Sequence, residues 1–151
     1  MITIDAFDFN ELPKLAFLLD EFVQSQKELK FKPGYRLEFG YWLMKMKNDQ
    51  EKYVLAAKDD AKIIGLCVGS ILANHPMLLP ETYGYINIIA VMEEYRGQGI
   101  ARSLLDQTTA WFLAKGISEV QMHNLTYNDA ARNFWIKSGF DMIMDRRAKY
   151  L

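Results

Sequence analysis

The stretch that limits the fold most is an apolar run, Ile88-Ile-Ala-Val, followed one residue later by Glu93-Glu-Tyr-Arg-Gly-Gln-Gly-Ile-Ala. The run predicts a buried central strand within Gly84 to Val91. The spacing Ala101, Leu104, Leu105, Thr108 and Trp111 predicts a helix from about Ile100 to Lys115, ended by Gly116. A helix that starts at this turn points free backbone N–H groups and the positive end of its dipole at it. Gly97 and Gly99 lack Cβ atoms, so an anionic group can approach the backbone closely. Arg96 and Arg102 bracket the turn and suit charge-assisted hydrogen bonds to phosphate. On physical grounds the unit is a pyrophosphate cradle; it is equally a plain strand–helix connection whose glycines allow tight packing.

The spacing narrows the phosphate ligand. Gly97-x-Gly99-x-x-Arg102 lacks the third glycine of the dinucleotide fingerprint and arrives late in the chain. No Gly-Lys-Ser/Thr follows, which excludes a nucleoside triphosphate P-loop.

The flanking sequence predicts one mixed sheet with helices on it. Ile2 and Ile4 mark a first strand, and Leu12, Leu15, Ala16, Leu19, Phe22 and Val23 mark a helix capped by Asn10. Pro33-Gly34 breaks the chain before a second, weaker helix over Tyr35 to Lys47, with Gly40 inside it. Tyr53-Val-Leu-Ala-Ala is a buried strand, and Asp59-Asp60 is turn chemistry. Ala61 to Ala73 follows as a long strand interrupted by Gly65 and Gly69, the pattern of a hairpin with one or more bulges. After the central unit come a strand over Glu119 to Asn124, a helix opened by Asn128 and stopped by Gly139, and a last strand that begins over Phe140 to Met144 with room to run on towards Tyr150. The order is β-α-α-β-β-β-α-β-α-β, within one domain over residues 1–151.

Composition removes whole classes of function. In 151 residues, 18 Lys plus Arg stand against 19 Asp plus Glu, a net charge of −1 without the positive excess a nucleic-acid track needs. The single cysteine, Cys67, cannot form an internal disulfide, and His75 and His123 offer no zinc-ligand spacing, so no metal is expected. No apolar run approaches the roughly 18–20 residues that span a bilayer. The N-terminus has no basic segment before an apolar one, so the chain reads as soluble and cytoplasmic, with no membrane partner.

Two motifs carry a resemblance. Val91-Met-Glu-Glu-Tyr-Arg-Gly-Gln-Gly-Ile-Ala-Arg-Ser-Leu-Leu resembles the acetyl-CoA signature of the GNAT superfamily of N-acetyltransferases, with Arg96, Gly99 and Ala101 at its fixed positions. Asn128-Asp-Ala-Ala-Arg-Asn-Phe-Trp-Ile-Lys-Ser-Gly-Phe resembles the family's later Asn-x-x-Ala-x-x-aromatic-Tyr-x-x-x-Gly-Phe helix. The resemblance implies an α/β (α+β) single-domain fold, a mixed, mostly antiparallel central sheet with helices on both faces. It implies acetyl-CoA as co-substrate and transfer of its acetyl group to a primary amine, on a small molecule or a protein, by direct attack on the thioester. Backbone groups of Ile89 and Val91 would then pair with the pantetheine arm. N–H groups of Arg96, Gly97, Gln98, Gly99, Ile100, Ala101 and Arg102 would hold the pyrophosphate. Asn128 would reach the cofactor, with Ala131 and Phe134 packing near it, although Asn128 serves equally as a helix N-cap. Some members extend their last strand into a partner subunit, which is compatible with a homodimer.

The chain departs from the family at two chemical positions. Trp135 stands where many members have a tyrosine that protonates the departing thiolate, and its indole N–H is no useful acid. Asn87 stands at the nearest match to the carboxylate that serves as base, and it cannot take a proton. His123 and Tyr127 are the candidate substitutes, while Glu93 and Glu94 read as solvated turn residues and Cys67 as a small buried one. Phe31, Tyr35, Phe39, Tyr41 and Trp42 read as core packing or as the wall of an acceptor pocket. Two alternatives stay open: a CoA-binding module without transferase activity, and a nucleotide-binding enzyme using the same glycine turn.

Overall fold

In the computed structural model, which describes residues 1–151, five of the six predicted strands gather into one sheet in the order in which they occur. The strands are β1 (Ile2–Ala6), β2 (Lys52–Asp59), β3 (Lys62–Ala73), β4 (Thr82–Val91) and β5 (Val120–Gln121). The helices are α1 (Ala16–Ser25), α2 (Tyr35–Met44), α3 (Ile100–Ala114) and α4 (Asp129–Lys137). Neighbours β1 to β4 pair antiparallel, and β4 pairs parallel with β5. No helix is long and apolar enough to cross a membrane.

β3 is buried without interruption from Ile63 to Ser70, because helices cover both faces of the sheet there. One face receives α3. A Cβ built on Gly65 would lie 3.2 Å from Leu104 Cδ1, one on Gly69 2.9 Å from Thr108 Cγ2, and one on Gly84 2.8 Å from Phe112 Cε1. Glycine is therefore required at Gly69 and Gly84 by close approach of the helix. On the other face Leu66, Ile88 and Ala90 meet Leu15, Leu18, Leu19, Phe22 and Phe39. The long strand read between Ala61 and Ala73 is the second arm of a hairpin with β2, with a register shift between Ala57 and Lys58.

Cys67 lies on the α3 side with its sulfur 3.3 Å from Thr108 Oγ1. Burial pushes its thiol up to about 11. The native chain should therefore resist an aromatic disulfide reagent at pH 8 and react only as urea unfolds it. Stoichiometric labelling of folded protein within minutes would overturn that placement.

Three expected boundaries move. The first helix begins as a 3-10 segment, Phe9–Leu15, capped by Asp8 accepting from the Asn10 N–H at 2.9 Å, and becomes α-helical only at Ala16. Pro13 lacks the N–H that an α-helical interior would use, and the 3-10 segment accommodates it. The strand expected over Glu119 to Asn124 contracts to Val120–Gln121. The last strand, expected from Phe140 to Met144, does not form, and residues 140–151 carry no regular secondary structure. A strand needs an edge to pair with, and the two residues of β5 offer almost none.

Candidate functional site

Everything chemical in the chain converges on the place where β4 and β5 separate. Their ladder holds only Gly84 to Val120 and Tyr85 to Gln121. Beyond Tyr85, the β4 edge away from β3 has no strand partner, and a cavity of about 630 Å³ opens along it. A bulge sits at the parting. Val68 faces Ile88 and Gly69 faces Ile86, so Asn87 is an extra residue in β4. Asn87 lines the cavity while its Oδ1 accepts from the fully buried Ser70 hydroxyl.

The cavity runs from the β4 edge to the N-terminus of α3. Gly97 and Gly99 adopt φ of +76° and +79°, in the left-handed region that favours glycine, and nothing lies within 4 Å of a Cβ built on either. No backbone N–H from Gly97 to Arg102 finds an acceptor within the chain. These donors stand at the positive end of α3, a 15-residue helix. Arg96 Nε donates to the Val91 carbonyl at 3.1 Å, tying the turn to the strand end. Arg102 is exposed and lies 3.3 Å from Asp106.

Of the residues expected to hold a cofactor, Ile89, Val91, Arg96, Gly97, Gly99 and Ile100 line this cavity. Ala101, Arg102, Asn128, Ala131 and Phe134 line it as well, and Gln98 does not. Asn128 Oδ1 accepts from the Ala131 N–H at 3.1 Å, so the side chain caps α4 at the cavity wall. α1 supplies the wall opposite through Leu18, Phe22 and Ser25. No aspartate or glutamate lines the cavity.

The sequence profile of the acetyltransferase (GNAT) family matches residues 15–140. The chain belongs to this family. Over 57 residues it is 37% identical to N-alpha-acetyltransferase 30 of Schizosaccharomyces pombe, a match that spans 38% of this chain and 38% of that protein. Among solved structures, a predicted acetyltransferase with acetyl-CoA from Clostridium acetobutylicum superposes with a TM-score of 0.82 at 14% identity, covering 99% of this chain and 96% of that one. The aminoglycoside 6'-N-acetyltransferase of Acinetobacter baumannii gives 0.77 at 18% identity over 100% and 97%. Both likenesses establish the GNAT fold.

Within this GNAT chain the catalytic candidates separate sharply. Tyr127 is 80% exposed and outside the cavity. Glu94 pairs with Lys62, and the Glu93 backbone N–H donates to Glu21 Oε2 at 2.9 Å, so neither glutamate belongs to the cavity. Trp135 is buried between Phe134 and Phe140, edge to face with each, and forms part of the lining. His123 stands at the rim with Nδ1 against the Tyr85 hydroxyl. None of Phe31, Tyr35, Phe39, Tyr41 and Trp42 reaches the cavity, and Phe39 and Trp42 pack against each other beside the core. Sequence reasoning missed Tyr85. Its signal lies in the pairing of Tyr85 with Gln121, two residues before His123, and pairing is a tertiary fact.

Proposed function

We propose that the chain is an acetyl-CoA-dependent N-acetyltransferase whose acceptor is a weakly basic primary amine, foremost the α-amino group of a peptide or protein. The observation that carries the reading is one cavity joining an unpaired strand edge to a run of unpartnered N–H donors. An extended amide-bearing arm suits the β4 edge, and a pyrophosphate suits the donors from Gly97 to Arg102, where open space at two glycines leaves it room. Ile89 and Val91 are the strand residues that would meet the arm. Asn128, Ala131 and Phe134 would flank it from α4.

The acceptor class follows from charge. A multiply cationic acceptor calls for carboxylates, and the cavity has none. Without a carboxylate base, the neutral fraction of the amine sets the rate. At pH 7.5 roughly a third of an α-amino group is neutral, against roughly one in a thousand for a lysine side chain. The name of the Schizosaccharomyces pombe relative points the same way. The amine nitrogen attacks the thioester carbon, the C–N bond forms, and the C–S bond breaks. A thiol of pKa about 8.5 leaves as thiolate without an acid, so Trp135 costs little in that role. Alignment of the two reactants supplies much of the remaining acceleration.

Thermal unfolding with acetyl-CoA, CoA, NAD and ATP in parallel tests the site. At ~100 times its dissociation constant a ligand adds about 2.7 kcal/mol, a rise in Tm of about 5–10 °C for a chain of this size. Acetyl-CoA and CoA should give that rise, and NAD and ATP should not. Thiol release from acetyl-CoA should then depend on added amine, with free-N-terminus peptides ahead of lysine side chains and aminoglycosides. Stabilisation without release across the panel would instead identify a CoA-binding module.

A further inference from the structure

Asn87 leaves proton removal from the amine without the usual carboxylate, yet His123 in the cavity wall, with Tyr85 against its ring, has the chemistry for it. We propose that His123 is the base that takes the amine proton and that Tyr85 is the positioning residue that holds its ring, an assignment that rests on the acetyl-transfer reading above.

The geometry comes from the strand parting. Tyr85 is the last β4 residue paired with β5, opposite Gln121, and His123 follows two residues later where the strands have begun to separate. The ladder thus fixes the tyrosine, and the tyrosine reaches the histidine as the cavity opens. Its hydroxyl meets His123 Nδ1, and the two rings are tilted 32° apart with centroids 5.8 Å from each other. The Tyr85 contact occupies Nδ1, while His123 itself lines the cavity. If Nδ1 carries the ring proton and donates it to the Tyr85 oxygen, Nε2 keeps its lone pair for an incoming proton. Asn87, two residues along β4, lines the same wall and is held by Ser70.

Tyr85 suits a partner that stays neutral. Burial first, and then Tyr83 on the same strand, push its hydroxyl up from the ordinary tyrosine value, while Arg146 from the C-terminal segment opposes them. A neutral phenol accepts from Nδ1–H in both ring states, so the imidazole keeps its orientation as it gains charge. The proton balance is simple. As nitrogen bonds to the thioester carbon it becomes acidic, and one N–H proton passes to Nε2. The thiolate departs with the C–S electron pair, and the imidazolium returns its proton to solvent at the open rim.

The test uses the full chain with acetyl-CoA and a short peptide amide bearing a free N-terminus, in wild type, His123→Gln, His123→Ala and Tyr85→Phe. His123→Gln should lower kcat about 100-fold. It should leave the KM for acetyl-CoA and the stabilisation by acetyl-CoA within threefold of wild type. One proton of the acid limb of the kcat–pH profile should vanish with it, and added imidazole should restore part of the rate in His123→Ala. Tyr85→Phe should lower kcat about 3–10-fold, less than loss of the base itself, and displace that limb rather than abolish it. A kcat within twofold of wild type in His123→Gln, with the same pH profile and no imidazole effect, would overturn the assignment and leave water as the acceptor. Failure of the underlying reading shows earlier: wild type would bind acetyl-CoA but acetylate no amine, and the base assignment would fall with it.

Discussion

Gly99→Asp is expected to remove acetyl-CoA binding while leaving the chain folded. Gly99 is the N-cap of α3 at φ +79°, with open space around its missing Cβ. Aspartate and asparagine are among the few side chains that enter the left-handed region at all, and a carboxylate at a helix N-terminus favours the helix. The left-handed φ strains any side chain there, but no neighbouring atom clashes with it, so the chain stays folded. A pyrophosphate opposes the carboxylate. Two unit charges 4 Å apart at an effective dielectric of 20 repel by about 4 kcal/mol, close to a thousandfold in Kd. Gly99→Asn carries nearly the same shape without the charge. Titration calorimetry should find the asparagine variant within about tenfold of wild type and the aspartate variant at least about 100-fold weaker. Equal affinities for the two would mean that no phosphate reaches this turn, whatever the loop resembles.

The same turn explains why so much of the site is readable in the residues. A glycine turn, the strand before it and the helix after it are set by local chemistry, and α3 begins at Ile100 as its apolar spacing predicts. Asn128 is legible as a cap for the same reason, and the structure places it at the cavity wall too. What depends on a partner in space is not legible. Phe140 to Met144 has strand composition, but composition cannot say whether an edge will be free, and β5 is too short to provide one. Asn87 looks like a lost carboxylate; only the register with β3 shows that it is also the bulge where β4 leaves β5. The aromatic residues between Phe31 and Trp42 read from composition as packing or as a pocket wall; Phe39 and Trp42 pack beside the core, none of the five lines the cavity, and α1, through Phe22 and Ser25, does. Tyr85 gains significance only beside His123, whose position depends on a two-residue parallel ladder. Local rules reach the glycine-turn end of the cavity, and tertiary pairing builds the end where β4 and β5 part.

Phe112→Ala is expected to cost about 3–5 kcal/mol of folding stability. The ring is 1% exposed and lies against Gly69 and Gly84, where built Cβ atoms would come within 3.0 Å and 2.8 Å of it. Against a total stability of about 5–15 kcal/mol, that loss brings the fold near its limit. Gly84→Ala alone should cost about 1–3 kcal/mol, because its methyl enters the space the buried ring already fills. The two are coupled in a definite direction. Once the ring is gone, the Gly84 methyl meets a cavity instead of a clash, so the double variant should exceed the summed prediction by at least about 1 kcal/mol in urea unfolding. Gly84 also links this packing to chemistry, since its N–H donates to the Glu119 carbonyl at 2.8 Å beside the Tyr85–Gln121 pair. Folded Gly84→Ala should therefore lose turnover through a displaced Tyr85 while its Kd for acetyl-CoA, set at the distant turn, stays near wild type. Simple additivity would place the cost elsewhere than in the ring–glycine contact, and α3 would then not be what sets the position of β4 under the site.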